Sequence, residues 1–92
     1  MNIIEIKKEQ ISDMVFPKKD VLRKDTDKKQ RKEKLEQAML LSNGSKQKAK
    51  IVFRDLLGFN FVYTTVWFVS DIHVQLKSGI LMPIGAIIDV IL

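Results

Sequence analysis

The second half of the chain alternates between apolar and other side chains, and this alternation limits the fold more than any other feature. In the segment KAKIVFRDL, which begins at Lys48, the apolar Ile51 and Phe53 are each followed by a smaller or charged residue. Successive side chains of a β-strand point to opposite faces, so a period of two indicates a half-buried strand. A turn around Gly58 is expected to close this strand. Sheet structure is therefore predicted from residue 48 onwards.

Four more segments continue the β pattern to the end of the chain. FNFVYTTVWFVSD has 13 residues and is apolar on both faces, and a strand of that length must bend or bulge, which lets it serve two sheets of one small barrel. IHVQLKSG follows, with Ile72, Val74 and Leu76 predicted to point inward. ILMPI and IDVIL complete the set, with one helical turn at GAI between them and Pro83 at an edge or strand end, since it lacks a backbone donor. We predict a small five-stranded SH3-like or Sm-like β-barrel over residues 48–92.

A helix signal, TDKKQRKEKLEQAMLLSNG, precedes the β region. We predict an α-helix over residues 25–43, with Asp25 or Thr26 capping its first turn and Asn43-Gly44 ending it. Its apolar face lies in the last two turns, at Leu35, Ala38, Met39 and Leu41. The helix should therefore dock by its C-terminal half and leave the basic half projecting, with Lys28, Lys29, Arg31 and Lys32. The predicted fold class is thus mainly β with an N-terminal α-helix.

Residues 1–24 are predicted to form an N-terminal arm or linker. Apolar positions such as Ile6 and Ile11 alternate with charges up to Pro17, which fits either a short amphipathic segment or an added strand. Residues 25–92 are predicted as a single domain, because a chain of 92 residues has room for one. The core of so small a domain is modest, and such folds often gain stability by forming an oligomer.

Positive charge is concentrated in the first half of the chain. Residues 1–50 hold 14 Lys and Arg against 8 acidic residues, a net of +6; residues 51–92 hold 2 against 3, a net of −1, and the sum is the +5 of the whole chain. The run 18–34 alone has nine basic and four acidic residues. Such a run is either a solvated surface that keeps an apolar barrel in solution, or an electrostatic footprint for phosphates or another anionic partner. Both interpretations stay open.

Residue types that carry catalysis or bind metals are scarce. The chain has no cysteine, which excludes disulfides and thiolate metal sites, and its one histidine, His73, lies on the expected outer face of a strand without a second ligand type at metal spacing. There is no glycine-rich phosphate loop, no nucleophile elbow and no Ser/His/Asp arrangement. We therefore predict a protein that is not an enzyme and that uses no metal or cofactor.

Signals for export or membrane insertion are also missing from the sequence. The start MNIIEIKKEQ is charged from residue 5 and has no long apolar core, unlike a secretory signal. The longest uncharged run, residues 56–70, has 15 residues, fewer than the roughly 20 that a membrane-spanning helix needs. A cytoplasmic protein without membrane insertion is predicted.

Four aromatic residues are expected on one face of the long strand: Phe59, Phe61, Tyr63 and Trp67. Nucleic-acid bases can stack on exposed rings of this kind. More often, such a stripe belongs to a core or to a subunit interface, and contiguous apolar area left over on a small domain usually marks an interface. We therefore predict a homo-oligomer with these four residues at the interface.

The order of the segments is similar to that of a known family. KAKIVFRDLLG, the long bent strand, VSDIHVQLK and MPIGAIIDVIL, with a helix directly before the first strand, resemble the bacterial Sm-like RNA chaperones over residues 30–92. The resemblance implies a small barrel that binds RNA. Met82-Pro83-Ile84-Gly85 stand where those chaperones carry the aromatic-basic-histidine triplet of their RNA pocket, so no pocket residue is carried over.

A second resemblance covers the chain from Leu35 to its end. LEQA, SNG, KAKIVF, TTVW, KSGI and MPI follow one another in this order. This combination is similar to a group of small uncharacterised bacterial proteins and is the more specific of the two resemblances. It implies no function.

Two functional hypotheses of different classes follow. In the first, the protein is a non-enzymatic nucleic-acid-binding module, for RNA, that uses the basic helix on a barrel platform. The predicted contacts are Lys28, Lys29, Arg31, Lys32, Lys46 and Lys48. In the second, it is an oligomerising protein–protein interaction module. Binding to an anionic membrane surface is less favoured, because no Trp, Phe or Leu lies opposite the basic face of the helix.

Overall fold

The computed structural model describes residues 2–92, and within them the chain forms one α-helix and seven β-strands. In chain order the elements are β1 (Ile3–Glu5), α1 (Asp25–Ser45), β2 (Ala49–Arg54), β3 (Phe59–Thr64), β4 (Val66–Val69), β5 (His73–Leu76), β6 (Leu81–Pro83) and β7 (Ile87–Ile91). Short 3-10 helices occupy Lys8–Asp13, Lys77–Gly79 and Ile84–Ala86. The predicted mainly β fold with one N-terminal α-helix is confirmed.

The strands form two sheets. The first has the order β1-β3-β2-β7, with β1 parallel to β3 and the other neighbours antiparallel. The second has the order β4-β5-β6 and is antiparallel. Neither sheet closes into a barrel, and the predicted count of five strands is wrong. β1 adds a strand to the first sheet, and the long segment contributes two strands instead of one.

The long apolar segment divides at Thr65. Residues before it form β3 in the first sheet and residues after it form β4 in the second, so one bent segment serves both sheets, as predicted. The backbone N–H of Lys77 donates to the carbonyl oxygen of Thr65 at 3.2 Å. The pairing of β4 with β5 is irregular between Val66 and Phe68. Trp67 therefore lies at a bulge in the second sheet.

Both ends of α1 differ from the prediction. The cap residue at its start is Lys24, which makes no side-chain capping bond, so the predicted cap at Asp25 or Thr26 is wrong. Asp25 instead lies in the first turn, where a negative charge is favourable against the helix dipole. At the other end the helix continues past Gly44 to Ser45.

Ser42 explains why the helix does not end at Gly44. Its hydroxyl accepts the backbone N–H of Val66 at 2.9 Å and donates to the carbonyl oxygen of Gln47 at 3.0 Å. The backbone N–H of Lys46 caps the carbonyl groups of Leu41 and Ser42. These bonds fasten the last turn to β4, so the left-handed cap falls at Lys46, two residues later than predicted.

The N-terminal segment is part of the domain. β1 pairs with β3, and the backbone N–H of Leu56 donates to the carbonyl oxygen of Val15 at 2.9 Å. Ile11 is 1% exposed and belongs to the hydrophobic cluster that also holds Leu35 of α1 and Phe53 of β2. The boundary predicted at residue 24 is therefore not a structural boundary. Residues 2–24 contain both alternatives considered above, a strand and a short helical segment.

Ile11→Ala is expected to lower the free energy of unfolding by about 2–4 kcal/mol, because it leaves a cavity in the shared core. Ile4→Ala is the matched control, since Ile4 is 61% exposed, and it should change stability by less than about 0.5 kcal/mol. Equilibrium unfolding in denaturant measures both variants. Equally small effects would show that the N-terminal segment does not unfold with the rest of the domain.

Candidate nucleic-acid interface

Arg31 is not available on the surface of α1. Arg31 as a whole is 5% exposed. Its guanidinium pairs with the Asp20 carboxylate, because Nη1 donates to Oδ1 at 2.8 Å and Nη2 donates to Oδ2 at 2.6 Å. Nη1 also donates to the carbonyl oxygen of Ile87 at 2.9 Å. The hydrogen bonds from Arg31 hold the pKa of Asp20 below its ordinary value. The expectation that Arg31 projects towards a ligand is therefore wrong, because its side chain joins α1 to residue 20 and to β7.

Other cations of α1 lie close to acidic side chains. The Nζ of Lys34 lies 2.8 Å from a carboxylate oxygen of Asp89, and the Nζ of Lys32 lies 3.6 Å from one of Asp71. Of the four predicted helix contacts, Lys28 and Lys29 are the two without a carboxylate within 4 Å in residues 2–92. The basic half of the helix is thus partly neutralised.

A second group of lysines converges near the C-terminal end of α1. Lys46, Lys48 and Lys77 line a hollow of about 410 Å³ together with Trp67. The rest of its wall consists of Ser42, Asn43 and Thr65. Lys46 follows the helix, Lys48 precedes β2, and Lys77 begins the 3-10 helix after β5. Three separate segments therefore meet here, and two of the predicted contacts, Lys46 and Lys48, are among them.

Left-handed backbone conformations position two of these lysines. Lys46 has φ 56°, which a residue with a Cβ adopts at a steric cost. Ser78 at φ 68° and Gly79 at φ 78° turn the chain directly after Lys77, and the N–H of Leu76 donates to the carbonyl oxygen of Ile80 at 2.7 Å across that turn. Backbone strain in side-chain-bearing residues concentrates at functional sites, and here two such residues flank one hollow.

A second hollow adjoins the first. It measures about 230 Å³ and is lined by Tyr63 and Lys7 and by the same Lys48 and Lys77. Glu5 and Glu9 also line it, and Glu9 pairs with its neighbour Lys8, a further lining residue, at 2.5 Å. Because Lys48 and Lys77 line both hollows, the two are adjacent parts of one surface region. We call it the basic groove and define it by Lys7, Lys46, Lys48, Tyr63, Trp67 and Lys77.

The lysines of the basic groove form no close ion pair with an acidic side chain. In the part of the chain that the structure describes, none of the four has a carboxylate oxygen within 4 Å. In the hollow that contains Trp67, lysines are the only charged lining residues, whereas the hollow that contains Tyr63 also has Glu5 and Glu9 in its wall. A concave surface lined by one sign of charge, as in the first hollow, concentrates the field and attracts an anionic ligand. The candidate site therefore moves from the first half of α1 to the groove near its other end.

Three of the four aromatic residues, Phe59, Phe61 and Tyr63, lie on one face of β3, whereas Trp67 lies on β4 in the second sheet. The guanidinium of Arg54 lies 5.7 Å from the ring centroid of Phe59, and the Nζ of Lys50 lies 4.4 Å from that of Phe61, so cations from β2 cover these rings. Tyr63 and Trp67 are 52% and 46% exposed and lie in the basic groove. Both can present a ring face to a ligand.

Two groove residues, Lys7 and Lys77, were missed by the sequence analysis. Lys77 is the only lysine after residue 50 and stands directly before a Ser-Gly turn, which is the one local signal that could have singled it out.

His73 is half-buried on β5 opposite Pro83. Ile72, predicted to point inward, is exposed, because β5 begins one residue after it.

The groove offers ammonium groups, two ring faces and the polar side chains of Asn43 and Thr65. Within residues 2–92, no group of three or more His, Asp or Glu side chains could hold a metal ion. No helix in that range is both long and apolar enough to cross a bilayer.

Comparisons with protein-family models, with curated proteins and with solved structures give no match to this chain. The proposal for a function therefore rests on the basic groove.

Proposed function

We propose that the protein is a non-enzymatic nucleic-acid-binding module and that its ligand is RNA. The observation that carries the proposal is the basic groove, in which four lysines flank the exposed rings of Tyr63 and Trp67. Ammonium groups that bind phosphates release condensed counterions, which favours association. Aromatic rings stack on bases of any sequence. RNA is favoured because its loops and ends present unpaired bases.

The proposal includes the SH3-like or Sm-like class of small barrel. Its support is the order of elements: α1 directly before β2, a bent segment shared by both sheets, and one 3-10 turn before β7. One hydrophobic cluster joins residues of both sheets and of α1. Since residues 82–85 lack the RNA-pocket triplet of the Sm-like chaperones, the basic groove is the RNA site in this proposal. A cytoplasmic location belongs to the same proposal.

RNA is expected to co-purify with the protein at low salt. The ultraviolet spectrum of the eluted protein should show nucleic acid at low salt and lose it after a high-salt wash, because salt screens the phosphate contacts. Ribonuclease should remove the bound material, and deoxyribonuclease should leave it. A protein spectrum free of nucleic acid under both salt conditions would count against the proposal.

A second candidate function, an oligomerising protein–protein interaction module, is favoured by apolar residues on the second sheet. Phe68, Gln75 and Leu81 are cross-strand neighbours on β4, β5 and β6. Phe68 and Leu81 are exposed, as is Ile72 in the turn between β4 and β5. Contiguous exposed apolar surface on a small domain usually marks an interface. In this candidate the subunits meet on the second sheet, because cations already cover Phe59 and Phe61 of the predicted interface.

A homo-oligomer is expected at high micromolar concentration. Phe68→Lys combined with Leu81→Lys should dissociate it, because the change places two charges on the proposed contact surface. Light scattering measures the molar mass of the parent and of this variant. A strict monomer for the parent would rule out self-association as the function.

A further inference from the structure

We propose that the basic groove binds a single strand of nucleic acid two bases at a time, with one base stacked on Trp67, the next on Tyr63, and the phosphate between them held by Lys48 and Lys77. This inference rests on the proposed function and adds the strandedness of the ligand and its register on the protein. It follows from the two lysines that line both hollows.

The shared lysines set the register. Trp67 lines the first hollow and Tyr63 the second, whereas Lys48 and Lys77 line both. Adjacent bases of a strand are connected through one phosphate, so a base in each hollow places that phosphate at the shared boundary. An ammonium group is a compact point charge that suits such a phosphate.

Further lysines continue the path on either side. Lys46 lines the hollow that contains Trp67, and Lys7 lines the hollow that contains Tyr63. The phosphates that flank the two bound bases would pass these two side chains. Lysines placed along a path with aromatic rings between them are the arrangement by which proteins follow a single strand without reading its sequence.

Each ring keeps exposed surface, and the ring of Tyr63 also packs against a neighbouring ring. The ring of Tyr63 makes an edge-to-face contact with Phe61, with centroids 5.7 Å apart and planes at 87°. Trp67 lies at the irregular pairing between β4 and β5, and bulges of this kind redirect a side chain. Both rings remain about half exposed.

A duplex does not fit this arrangement. Its bases are stacked on their neighbours at about 3.4 Å along each strand, so their faces are covered. Bases in separate hollows are unstacked from one another and stacked on protein rings instead. The ligand is therefore a single strand or an unpaired loop of at least two nucleotides.

The fluorescence of the parent protein tests the stacking directly. Trp67 is the only tryptophan of the chain, so its emission reports on the ring in question without labelling. Single-stranded hexauridine and hexaadenosine are expected to quench this emission, and a longer GC-rich RNA duplex that stays paired at the assay temperature and salt is expected to leave it unchanged. In a length series, the dinucleotide should bind more tightly than the mononucleotide, because it reaches both hollows.

Matched variants test the two rings separately. Trp67→Leu and Tyr63→Leu should each weaken the binding of fluorescein-labelled hexauridine about 5- to 150-fold, the range expected for the loss of one stacked base. Leu57→Ala removes an exposed apolar side chain that lines neither hollow, and it should bind as the parent does. Thermal melting confirms that each variant is folded.

The failure of this inference is distinguishable from the failure of the proposed function. If the parent binds RNA but both ring variants bind as Leu57→Ala does, the two-base register is wrong and the proposed function stands. Equal competition by duplex and single strand would overturn the inference in the same way. If the parent binds no RNA at low salt, the proposed function fails and the inference fails with it.

Discussion

Asp20→Asn is expected to lower the free energy of unfolding by about 3 kcal/mol, the lower end of the range for breaking a buried ion pair. The substitution removes the carboxylate charge and leaves the guanidinium of Arg31 in place, where the side chain is 5% exposed. We expect a loss of stability at the lower end of that range because the Asp20 side chain is 25% exposed. Water therefore already solvates part of this ion pair. Denaturant unfolding at neutral pH measures the loss.

The matched control for this prediction is Asp71→Asn. This substitution also removes a carboxylate charge, here from the ion pair between Asp71 and Lys32. The two side chains are 95% and 55% exposed, respectively, and exposed pairs contribute little to stability. If the two aspartate variants were equally stable, the pair between Asp20 and Arg31 would not hold α1 in the fold.

The pH dependence gives a second readout of the same pair. Because Arg31 lowers the pKa of Asp20 in the folded protein, the stabilisation is complete above the unfolded-state pKa of about 3.9. It is lost as the pH falls through the lower folded-state value, since protonation then favours the unfolded chain. The difference in stability between the parent and Asp20→Asn should therefore narrow as the solution is acidified below pH of about 4.

Replacing Lys46, Lys48 and Lys77 together with glutamine is expected to weaken binding to single-stranded RNA on the order of 100-fold near 0.1 M salt. Each phosphate contact on a single strand contributes a slope of about 0.7 in a log–log plot, which amounts to roughly fivefold per contact at that concentration. The three side chains are exposed, so the fold should survive their replacement. Fluorescence anisotropy of a labelled oligonucleotide measures the affinity.

A second triple variant separates the groove from net charge. This variant changes Lys28, Lys29 and Lys32 of α1 to glutamine, which removes an equal number of positive charges. Arg31 is kept because the fold depends on it. This variant should bind within about threefold of the parent, since its charges lie outside the groove and are screened by salt. Equal losses in the two triple variants would show that total charge, and not the groove, accounts for binding.

The features that could be predicted from the sequence depend on local pattern. The period of two after Lys48 indicated the β-strands, and the apolar positions Leu35 and Ala38 indicated the buried face of the helix; both residues are buried as expected. The bend in the long apolar segment followed from its length and lies at Thr65. Strand direction and side-chain periodicity are short-range properties, so neighbouring residues carry enough information.

The features that were missed depend on contacts between distant residues. Arg31 looked like one more cation of a basic run, but it pairs with Asp20 and with the carbonyl group of Ile87, which is 56 residues away. Lys77 joins Lys48 in the groove only because β5 and the bend at Thr65 bring their segments together. A charge pattern does not show which lysines have acidic neighbours in space, so the sequence predicts contacts along the helix and does not reveal the groove.

The salt dependence of RNA affinity tests the groove most directly. For the parent, a plot of log association constant against log salt for a single-stranded oligonucleotide should have a slope of about −2 to −3, corresponding to three or four phosphate contacts. Glutamine at positions 46, 48 and 77 should flatten this slope by about 2 units, and glutamine at positions 28, 29 and 32 should leave it unchanged. An unchanged slope in the groove variant, or a parent protein that binds no RNA at low salt, would contradict the account.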